Sequence, residues 1–250
     1  MKILEVLIPT YNRPQEFKKC LKSLENALFH LNPNDRLGIG VAINDNSTDY
    51  LEEYEEVIEQ FEIKFEELGV SYFNYRRTGF NIGGINNILS GLYGVKSEYV
   101  WCLPDDDVAR FDSLVILVSV IQAYRPNFVS GAWLKKSVIN YDSDANGDDD
   151  RNENKVFDVI VEREKVSVFL SKHVVQLQEY VYRTKIIKNF IKIKENRCLL
   201  NDMLPGLLAL ICLREDGSFV RLERSLGIFR DGEPNSEWRH LWNRLALIEW

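Results

Sequence analysis

Three consecutive carboxylates, Asp105, Asp106 and Asp107, stand directly after the apolar stretch 99–103. Like charges side by side repel and raise one another's pKa, so three adjacent Asp residues are costly unless a cation neutralises them. Hard oxygen ligands suit Mg²⁺ or Mn²⁺, which bind through one or two carboxylates together with substrate phosphate oxygens. The triplet therefore predicts a divalent cation and a phosphate-bearing substrate. The alternative is a solvated acidic turn before the helix that follows Asp112.

The elements that position this triplet alternate short apolar runs with longer helical patterns. The apolar runs predict strands at 3–8, 39–44, 70–75, 99–103 and 127–133, and the helical patterns fall at 14–28, 50–61, 84–93 and 113–124. Asn12 is expected to cap the first helix. This rhythm predicts an open, mainly parallel α/β sheet flanked by helices, with ligands outside the carboxyl ends of the strands.

Polar motifs fall at those strand ends. One follows each of the first four strands, at 9–11, 44–49, 76–81 and 105–107. Because the carboxyl ends of parallel strands share one edge of a sheet, we expect the four loops to converge on one crevice.

The second half of the chain is less regular. Residues 137–154 are polar and acidic and predict a flexible loop. A strand is predicted at 156–161, a helix at 182–193 and a buried apolar helix at 203–213. Residues 236–250 form an amphipathic pattern whose apolar stripe suits packing on the sheet, a partner chain or a membrane surface.

Composition narrows the class of protein. The net charge is -7 and no basic stripe is present, which argues against nucleic acid as a partner. Four scattered cysteines without a CxxC pair predict reduced core thiols. Neither a secretory signal nor a long apolar span is apparent, so a cytoplasmic location is expected, with peripheral contact at the inner membrane face as an option.

A second acidic motif lies at 142–153, where the sequence DSDANGDDDRNE satisfies the pattern of a calcium-binding loop. Asp149 stands where such loops carry an apolar residue, and the flanks do not predict a helix pair. Acidic loops produce such strings by composition alone, so calcium binding and a solvated loop both stay open.

The motifs VLIPTYNRP, INDNSTD, NIGGINN and YVWCLPDDDV occur in an order and spacing that resemble the nucleotide-sugar glycosyltransferases of family 2. This resemblance covers about the first 130 residues. It implies the GT-A fold and inversion of the anomeric centre. The chain is then one domain, 1–250, with a nucleotide-sugar-binding half at 1–133, the acidic loop at 137–154, an acceptor half at 155–235 and the helix at 236–250.

The resemblance also implies roles for individual residues. It assigns donor binding to Pro9, Thr10, Tyr11, Arg13, Asp45, Arg76 or Arg77, Asn81, Gly83, Asn87 and Asp105, with Asp105 towards the ribose. The family's motif of two Asp, Gly, Ser, Thr and Asp departs here at Asn44 and Asn46, which puts the identity of the base in doubt.

In the same comparison Asp106 aligns with the metal ligand, and Asp107 is a candidate second ligand. Asp202, in an Asn-Asp pair before the helix predicted at 203–213, matches the catalytic base, with simple helix capping as the alternative. His240 matches a late histidine that some related enzymes place near the metal or diphosphate, and a surface histidine is the alternative. The candidates for a contact to the diphosphate are Arg221, Arg224 and Arg230.

The resulting hypothesis is an inverting glycosyltransferase that uses Mn²⁺ or Mg²⁺ and a nucleotide-diphospho-sugar, a UDP-sugar foremost. The acceptor would be a hydroxyl of a saccharide, a lipid-linked molecule or another glycoconjugate in surface polysaccharide synthesis. One alternative is a sugar-phosphate nucleotidylyltransferase, which needs a Gly-rich basic loop after the first strand that residues 9–14 lack. Another is a non-catalytic calcium- or saccharide-binding module on the same fold.

Overall fold

The fold is taken from a computed structural model of the 250-residue chain. It describes residues 2–131, 158–160, 179–193, 208–209, 211–212, 215–222 and 226–228, with 158–160 and 228 described by their backbone alone.

The first half of the chain alternates strands and helices as predicted. Its strands are β1 (Leu4–Thr10), β2 (Ile39–Asp45), β3 (Tyr72–Arg77), β4 (Tyr99–Cys102), β5 (Val108–Ala109) and β6 (Phe128–Ser130). Its helices are α1 (Pro14–His30), α2 (Pro33–Arg36), α3 (Leu51–Glu67), α4 (Gly84–Gly94) and α5 (Ser113–Tyr124). The second half adds β7 (Asp158–Ile160), β8 (Tyr180–Arg183), α6 (Thr184–Lys192), β9 (Phe219–Arg221) and β10 (Gly227–Ile228).

These strands form an eight-stranded sheet in the order β3-β2-β1-β4-β8-β6-β9-β7, and β5 and β10 pair separately. The pairs from β3 to β4 are all parallel, and β8 runs antiparallel to both β4 and β6. The predicted open, mainly parallel sheet is therefore confirmed. The carboxyl ends of β1 to β4 meet at one edge, which positions the loops of the predicted crevice.

Helices cover both faces of the sheet, and the alternation of side chains along each strand supplies both layers. Val6 and Ile8 pack with Phe17 and Phe61 on the face that carries α1, α3 and α5. Leu7 points the other way and packs with residues of α4 and α6 such as Leu92 and Ile187. Strands covered on both faces need near-continuous apolar sequence, as in β1 and β2.

Two details of the predicted elements are wrong. Asn12 does not cap α1, whose flanking residue is Arg13 without a side-chain cap; Asn12 adopts a left-handed conformation (φ 52°) and bonds to another loop. The helix predicted at 182–193 begins at Thr184 instead, because Tyr182 and Arg183 belong to strand β8 and their backbones pair with β4.

Other predictions are met in part or lie outside the described residues. Residues 208–209 and 211–212 are helical, as expected within 203–213. Cys20, Cys102 and Cys212 are buried free thiols, as predicted. The acidic motif at 142–153 and the segment 236–250 lie outside the described residues. Among the residues that the structure does describe, no helix has the length and apolarity needed to cross a bilayer.

Candidate active site

Asp105 lies at the centre of the edge where the strands end. It is 5% exposed, and its carboxylate accepts hydrogen bonds from the Thr10 hydroxyl (2.7 Å) and from the backbone N–H of Tyr11 (3.3 Å). The pKa of Asp105 is raised from 3.8 to about 7; burial is the largest cause, the charge of Asp106 adds to the rise, and the Thr10, Arg13 and Tyr11 contacts oppose it. The loop after β1 thus holds the first carboxylate of the triplet inward.

Arg13 bridges the first two carboxylates. Its Nη1 lies 3.4 Å from Oδ1 of Asp105 and 2.5 Å from Oδ2 of Asp106. The Asp106 side chain is 39% exposed, whereas Asp107 is 3% exposed and its charge acts on the thiol of Cys20 in α1. The repulsion within the triplet is therefore relieved by one guanidinium and by turning the three side chains to different surroundings.

The hydroxyls of Thr10 and Tyr54 form a chain of hydrogen bonds behind Asp105. The Thr10 hydroxyl gives its single hydrogen to Asp105, so the Tyr54 hydroxyl, 2.7 Å away, must donate to Thr10. The Tyr54 oxygen in turn accepts from the backbone N–H of Arg13 (3.0 Å), and its ring stacks on Phe17 at 5.0 Å between centroids. Tyr54 in α3 therefore connects the backbone of the first loop to the buried carboxylate of the fourth.

A second buried carboxylate, Asp45, ends strand β2. Its oxygens accept hydrogen bonds from the backbone of Thr48 (2.9 Å) and the hydroxyl of Tyr75 (2.8 Å), and Arg77 Nε lies 3.6 Å away. Burial raises the pKa of Asp45, while Tyr75, Thr48 and Arg77 counteract that rise. Asp45 is fully buried, so in this conformation it shapes the turn after β2 and aims Arg77.

Two amides occupy the positions where the family motif carries other residues. Asn44 donates to the backbone and side-chain oxygens of Asn87 (both 2.7 Å), and Asn87 donates back to the Asn44 carbonyl (2.7 Å). Asn46 donates to Asn81 (2.7 Å) and accepts from the backbone N–H of Ile82 (2.8 Å). A carboxylate at position 44 has no hydrogen to donate and a glycine at position 46 has no side chain, so both departures are explained by contacts that the family's residues cannot make.

The loop before α4 depends on Gly83. This glycine directly precedes the helix and has φ of 83° and ψ of 152°, a positive-φ conformation that is costly for residues with a Cβ. Its N–H donates to the side chain of Asn81 (2.8 Å), so Asn81 fastens the loop after β3 to both Asn46 and Gly83.

Asn12 holds the loops after β1 and β2 together. Its side chain donates to Asp49 (2.7 Å) and accepts from the Thr48 hydroxyl (3.0 Å) and the Asp49 backbone (2.8 Å). With the Thr10 to Asp105 and Asn46 to Asn81 bonds, the loops after the first four strands form one connected edge. The predicted convergence of these loops is confirmed.

The structure does not bring every candidate to this edge. Arg76 extends to the carbonyl of Gly94 at the end of α4, while Arg77 reaches Asp45, so only Arg77 of the two alternatives lies in the crevice. Arg221 ends β9, which runs in the same direction as β4 but three strands away.

Pro9 pairs with Asn44 in the sheet and Tyr11 is 37% exposed beside the triplet. Asp202, Arg224, Arg230 and His240 lie outside the described residues.

Sequence reasoning missed Tyr54 and Tyr75. Tyr75 stands two residues before Arg77, and that spacing puts both side chains on one face of a strand, which is a signal that the sequence does contain. Tyr54 falls among the buried positions of α3 and is indistinguishable by pattern from an ordinary core aromatic.

The carboxylates of the crevice suit a metal cation whose remaining ligands come from a substrate. Asp106 offers an exposed carboxylate, and the described residues include no cluster of three His, Cys, Asp or Glu side chains able to hold a metal. Mg²⁺ and Mn²⁺ accept such an arrangement, because one or two carboxylates suffice when phosphate oxygens complete the coordination. Asp107, the other candidate ligand in the triplet, is 3% exposed.

Comparison with known proteins places this geometry in a family. The model of glycosyl transferase family 2 matches residues 5–183. The abequosyltransferase RfbV of Salmonella typhimurium is 30% identical over 122 residues, which cover 48% of this chain and 33% of that protein. Our chain thus spans a third of the length of this curated relative.

Solved structures share the fold at low sequence identity. TarS 1-349 from S. aureus in complex with UDP-GlcNAc superposes with a TM-score of 0.67 at 14% identity, covering 98% of this chain and 65% of that one. The mannosyltransferase PcManGT from Pyrobaculum calidifontis in complex with GDP-Man and Mn²⁺ gives 0.62 at 9% identity, covering 98% and 61%. The sheet is thus of the GT-A type, and because the family model covers most of the sequence, the chain belongs to glycosyl transferase family 2.

Proposed function

We propose that this protein is an inverting, metal-dependent glycosyltransferase that moves a sugar from a nucleotide-diphospho-sugar to an acceptor hydroxyl. The observation that carries this proposal is the pairing of a buried carboxylate, Asp105, with an exposed one, Asp106, under a single guanidinium from Arg13. Such a pair gives the crevice one carboxylate held by protein donors and one available to a cation.

The donor would lie along the connected edge formed by the loops after the first four strands. Tyr11 offers an exposed aromatic face for a base, and Arg77 and Asn81 line the same edge. Asp105 would face the ribose through the oxygen that Thr10 does not occupy. The buried Asp45 and the Asn44–Asn87 pair would support this surface from behind rather than touch the donor.

Asp106 would hold a Mg²⁺ or Mn²⁺ ion, which would offset the negative charge that builds on the departing diphosphate. Arg13 shares this carboxylate at 2.5 Å and would have to swing aside or turn to a phosphate oxygen when the donor enters. The Mn²⁺ in the mannosyltransferase complex supports a cation of this kind. His240 stays a candidate for the same region.

An inverting transfer is one displacement at the anomeric carbon. The acceptor oxygen forms the new bond as the bond to the diphosphate oxygen breaks, and the acceptor hydroxyl loses its proton to a carboxylate base. We assign this proton-accepting role to Asp202. Substitution of Asp202 by Asn should leave donor binding unchanged and remove transfer.

The identity of the donor base stays open between two precedents. TarS was solved with UDP-GlcNAc and the mannosyltransferase with GDP-Man, so proteins of this fold bind nucleotide-sugars with either a pyrimidine or a purine base. A UDP-sugar is our first expectation. The match to an abequosyltransferase supports a saccharide or lipid-linked acceptor in surface polysaccharide synthesis.

A donor panel tests the proposal. Uridine, guanosine, cytidine and thymidine diphospho-sugars are each offered with Mn²⁺, and sugar release and the shift in unfolding temperature are recorded. We expect one base class to stabilise the protein and to be hydrolysed slowly without acceptor. Asp106→Asn should lose both effects, while Asp35→Asn, a carboxylate before the amino end of β2, should behave as wild type. If no donor binds in the presence of metal, the proposal fails.

A further inference from the structure

A separate cavity of about 430 Å³ lies between the segment that precedes β4 and the helix α6. It is lined by Val95, Lys96, Ser97, Glu98, Arg183, Thr184, Lys185, Lys188, Asn189 and Lys192. Residues 95–98 enter β4 at its amino end, whereas the acidic triplet follows its carboxyl end. The cavity therefore belongs to the edge of the sheet opposite the crevice.

The charge of the cavity is strongly positive. Its wall carries five cationic side chains and a single carboxylate, Glu98, which pairs with Arg183 at 3.4 Å. Lys96, Lys185 and Lys192 make no ion pair with any residue that the structure describes. This concentration of positive charge occurs in a chain whose net charge is -7, so it is a local feature and not a property of the whole surface.

Two groups in the wall, Thr184 and Lys188, favour a bound anion. Thr184 is 6% exposed, and its hydroxyl oxygen has no hydrogen-bond partner among the residues that the structure describes. Lys188 donates to the carbonyl of Val95, and burial together with the charges of Lys192 and Arg76 lowers its pKa, against an opposing effect of Glu5. An unpaired buried hydroxyl is costly, and cations held together repel, so both observations indicate a missing anionic acceptor.

We propose that this cavity binds a phosphate group, either a soluble phosphate or the headgroup phosphate of an anionic lipid. A phosphate presents only acceptor oxygens, which match the ammonium groups and the Thr184 hydroxyl. Thr184 is also the first residue of α6, a nine-residue helix whose positive end favours an anion. The proposal does not depend on the function assigned to the crevice.

Calorimetric titration with sodium phosphate tests this inference, at constant ionic strength and without divalent metal. We expect saturable binding at one site in the wild type. Thr184→Val replaces the hydroxyl with a methyl group, and Lys188→Gln removes the positive charge and shortens the side chain; each should weaken binding about tenfold. The control is Lys22→Gln, an exposed lysine on α1, which should bind as wild type does.

Thermal melts of both cavity variants establish that they fold. Absence of phosphate binding in the wild type, or binding as tight as wild type in the folded Thr184→Val and Lys188→Gln variants, would overturn the proposal. Flotation with phosphatidylglycerol and phosphatidylcholine vesicles then separates the sources. If the wild-type protein floats with the phosphatidylglycerol vesicles and Lys188→Gln does not, the ligand is a lipid headgroup. If the protein binds phosphate but floats with neither kind of vesicle, the ligand is a soluble phosphate.

Discussion

Tyr54 shows at the scale of one residue how the core reaches the crevice. Its hydroxyl joins the backbone of Arg13 to the Thr10 hydroxyl, and the remainder of the side chain is buried beside Phe17. Tyr54→Phe leaves the ring in place but removes the acceptor of the Arg13 N–H and the donor to the Thr10 hydroxyl, which keeps its bond to Asp105. We expect a loss of about 1–3 kcal/mol in the free energy of unfolding, measured in urea. Tyr93→Phe, at a tyrosine that is 55% exposed, should change it very little.

Asp105 makes the metal-free protein sensitive to pH. Its pKa is raised from 3.8 to about 7, so the folded state keeps a proton that the unfolded chain releases earlier. The stability from this group is greatest below its unfolded pKa and is lost as the pH rises towards 7. In EDTA, the free energy of unfolding should decrease between about pH 5 and about pH 8. The decrease should be larger in wild type than in Asp105→Asn by on the order of 2 kcal/mol. Equal slopes in the two proteins would contradict this assignment.

Sequence alone could identify the triplet, but it could not predict that its three carboxylates differ in burial and in their contacts. Asp105, Asp106 and Asp107 are chemically identical, and their difference in burial arises from contacts with Thr10, Arg13 and α1, which are distant in sequence. The choice between Arg76 and Arg77 has the same origin, since alternation along β3 sends the two side chains to opposite faces.

Between elements, the hydrogen bonds that join Asn44 of β2 to Asn87 of α4 explain why an amide stands at position 44. Asn44→Asp would set a carboxylate against the two oxygens of Asn87 that now accept hydrogen bonds. We expect a loss of roughly 2–4 kcal/mol in unfolding free energy, because a buried charge would face two acceptors. The same exchange at the exposed Asn34 should cost little. An unchanged free energy of unfolding in Asn44→Asp would show that the Asn44–Asn87 hydrogen bonds do not stabilise the fold.

The start of α4 allows a matched pair of glycine substitutions. Gly83→Ala places a Cβ at φ of 83° in open space, so only backbone strain changes, and we expect a loss of about 1–2 kcal/mol. Gly84→Ala, one residue on, meets no neighbouring atom and has ordinary backbone geometry, so it should be neutral or slightly stabilising. Equal effects in a urea titration would refute the requirement for glycine at position 83.

The elements themselves were predictable where the pattern was local. The strand and helix rhythm of the first half follows from apolar runs and helical spacing, and the structure agrees within a few residues. The strand β8 was missed because its apolar residues run directly into the amphipathic pattern of α6, so one helix was predicted at 182–193. Its identity as a strand depends on pairing with β4 and β6, which no local pattern contains.

At the scale of the whole molecule, the sheet separates two regions of opposite charge. The carboxyl edge of β4 carries the acidic triplet, and the amino edge carries the basic cavity beside α6. Family motifs in the sequence predicted the first region because they lie in consecutive loops. The second region combines residues 95–98 with 183–192, and only the antiparallel insertion of β8 next to β4 brings those segments together.

In the proposed function, Asp106 and a donor diphosphate form a metal site together. We would measure Mn²⁺ binding to the protein with and without UDP or GDP, after correcting for the Mn²⁺ that the nucleotide binds alone. Because one exposed carboxylate holds Mn²⁺ weakly, the preferred nucleotide should tighten Mn²⁺ binding by about tenfold or more in wild type and Asp35→Asn. Asp106→Asn should show no such coupling; coupling of equal size in Asp106→Asn, or none with either nucleotide in wild type, would contradict a metal site shared by Asp106 and the diphosphate.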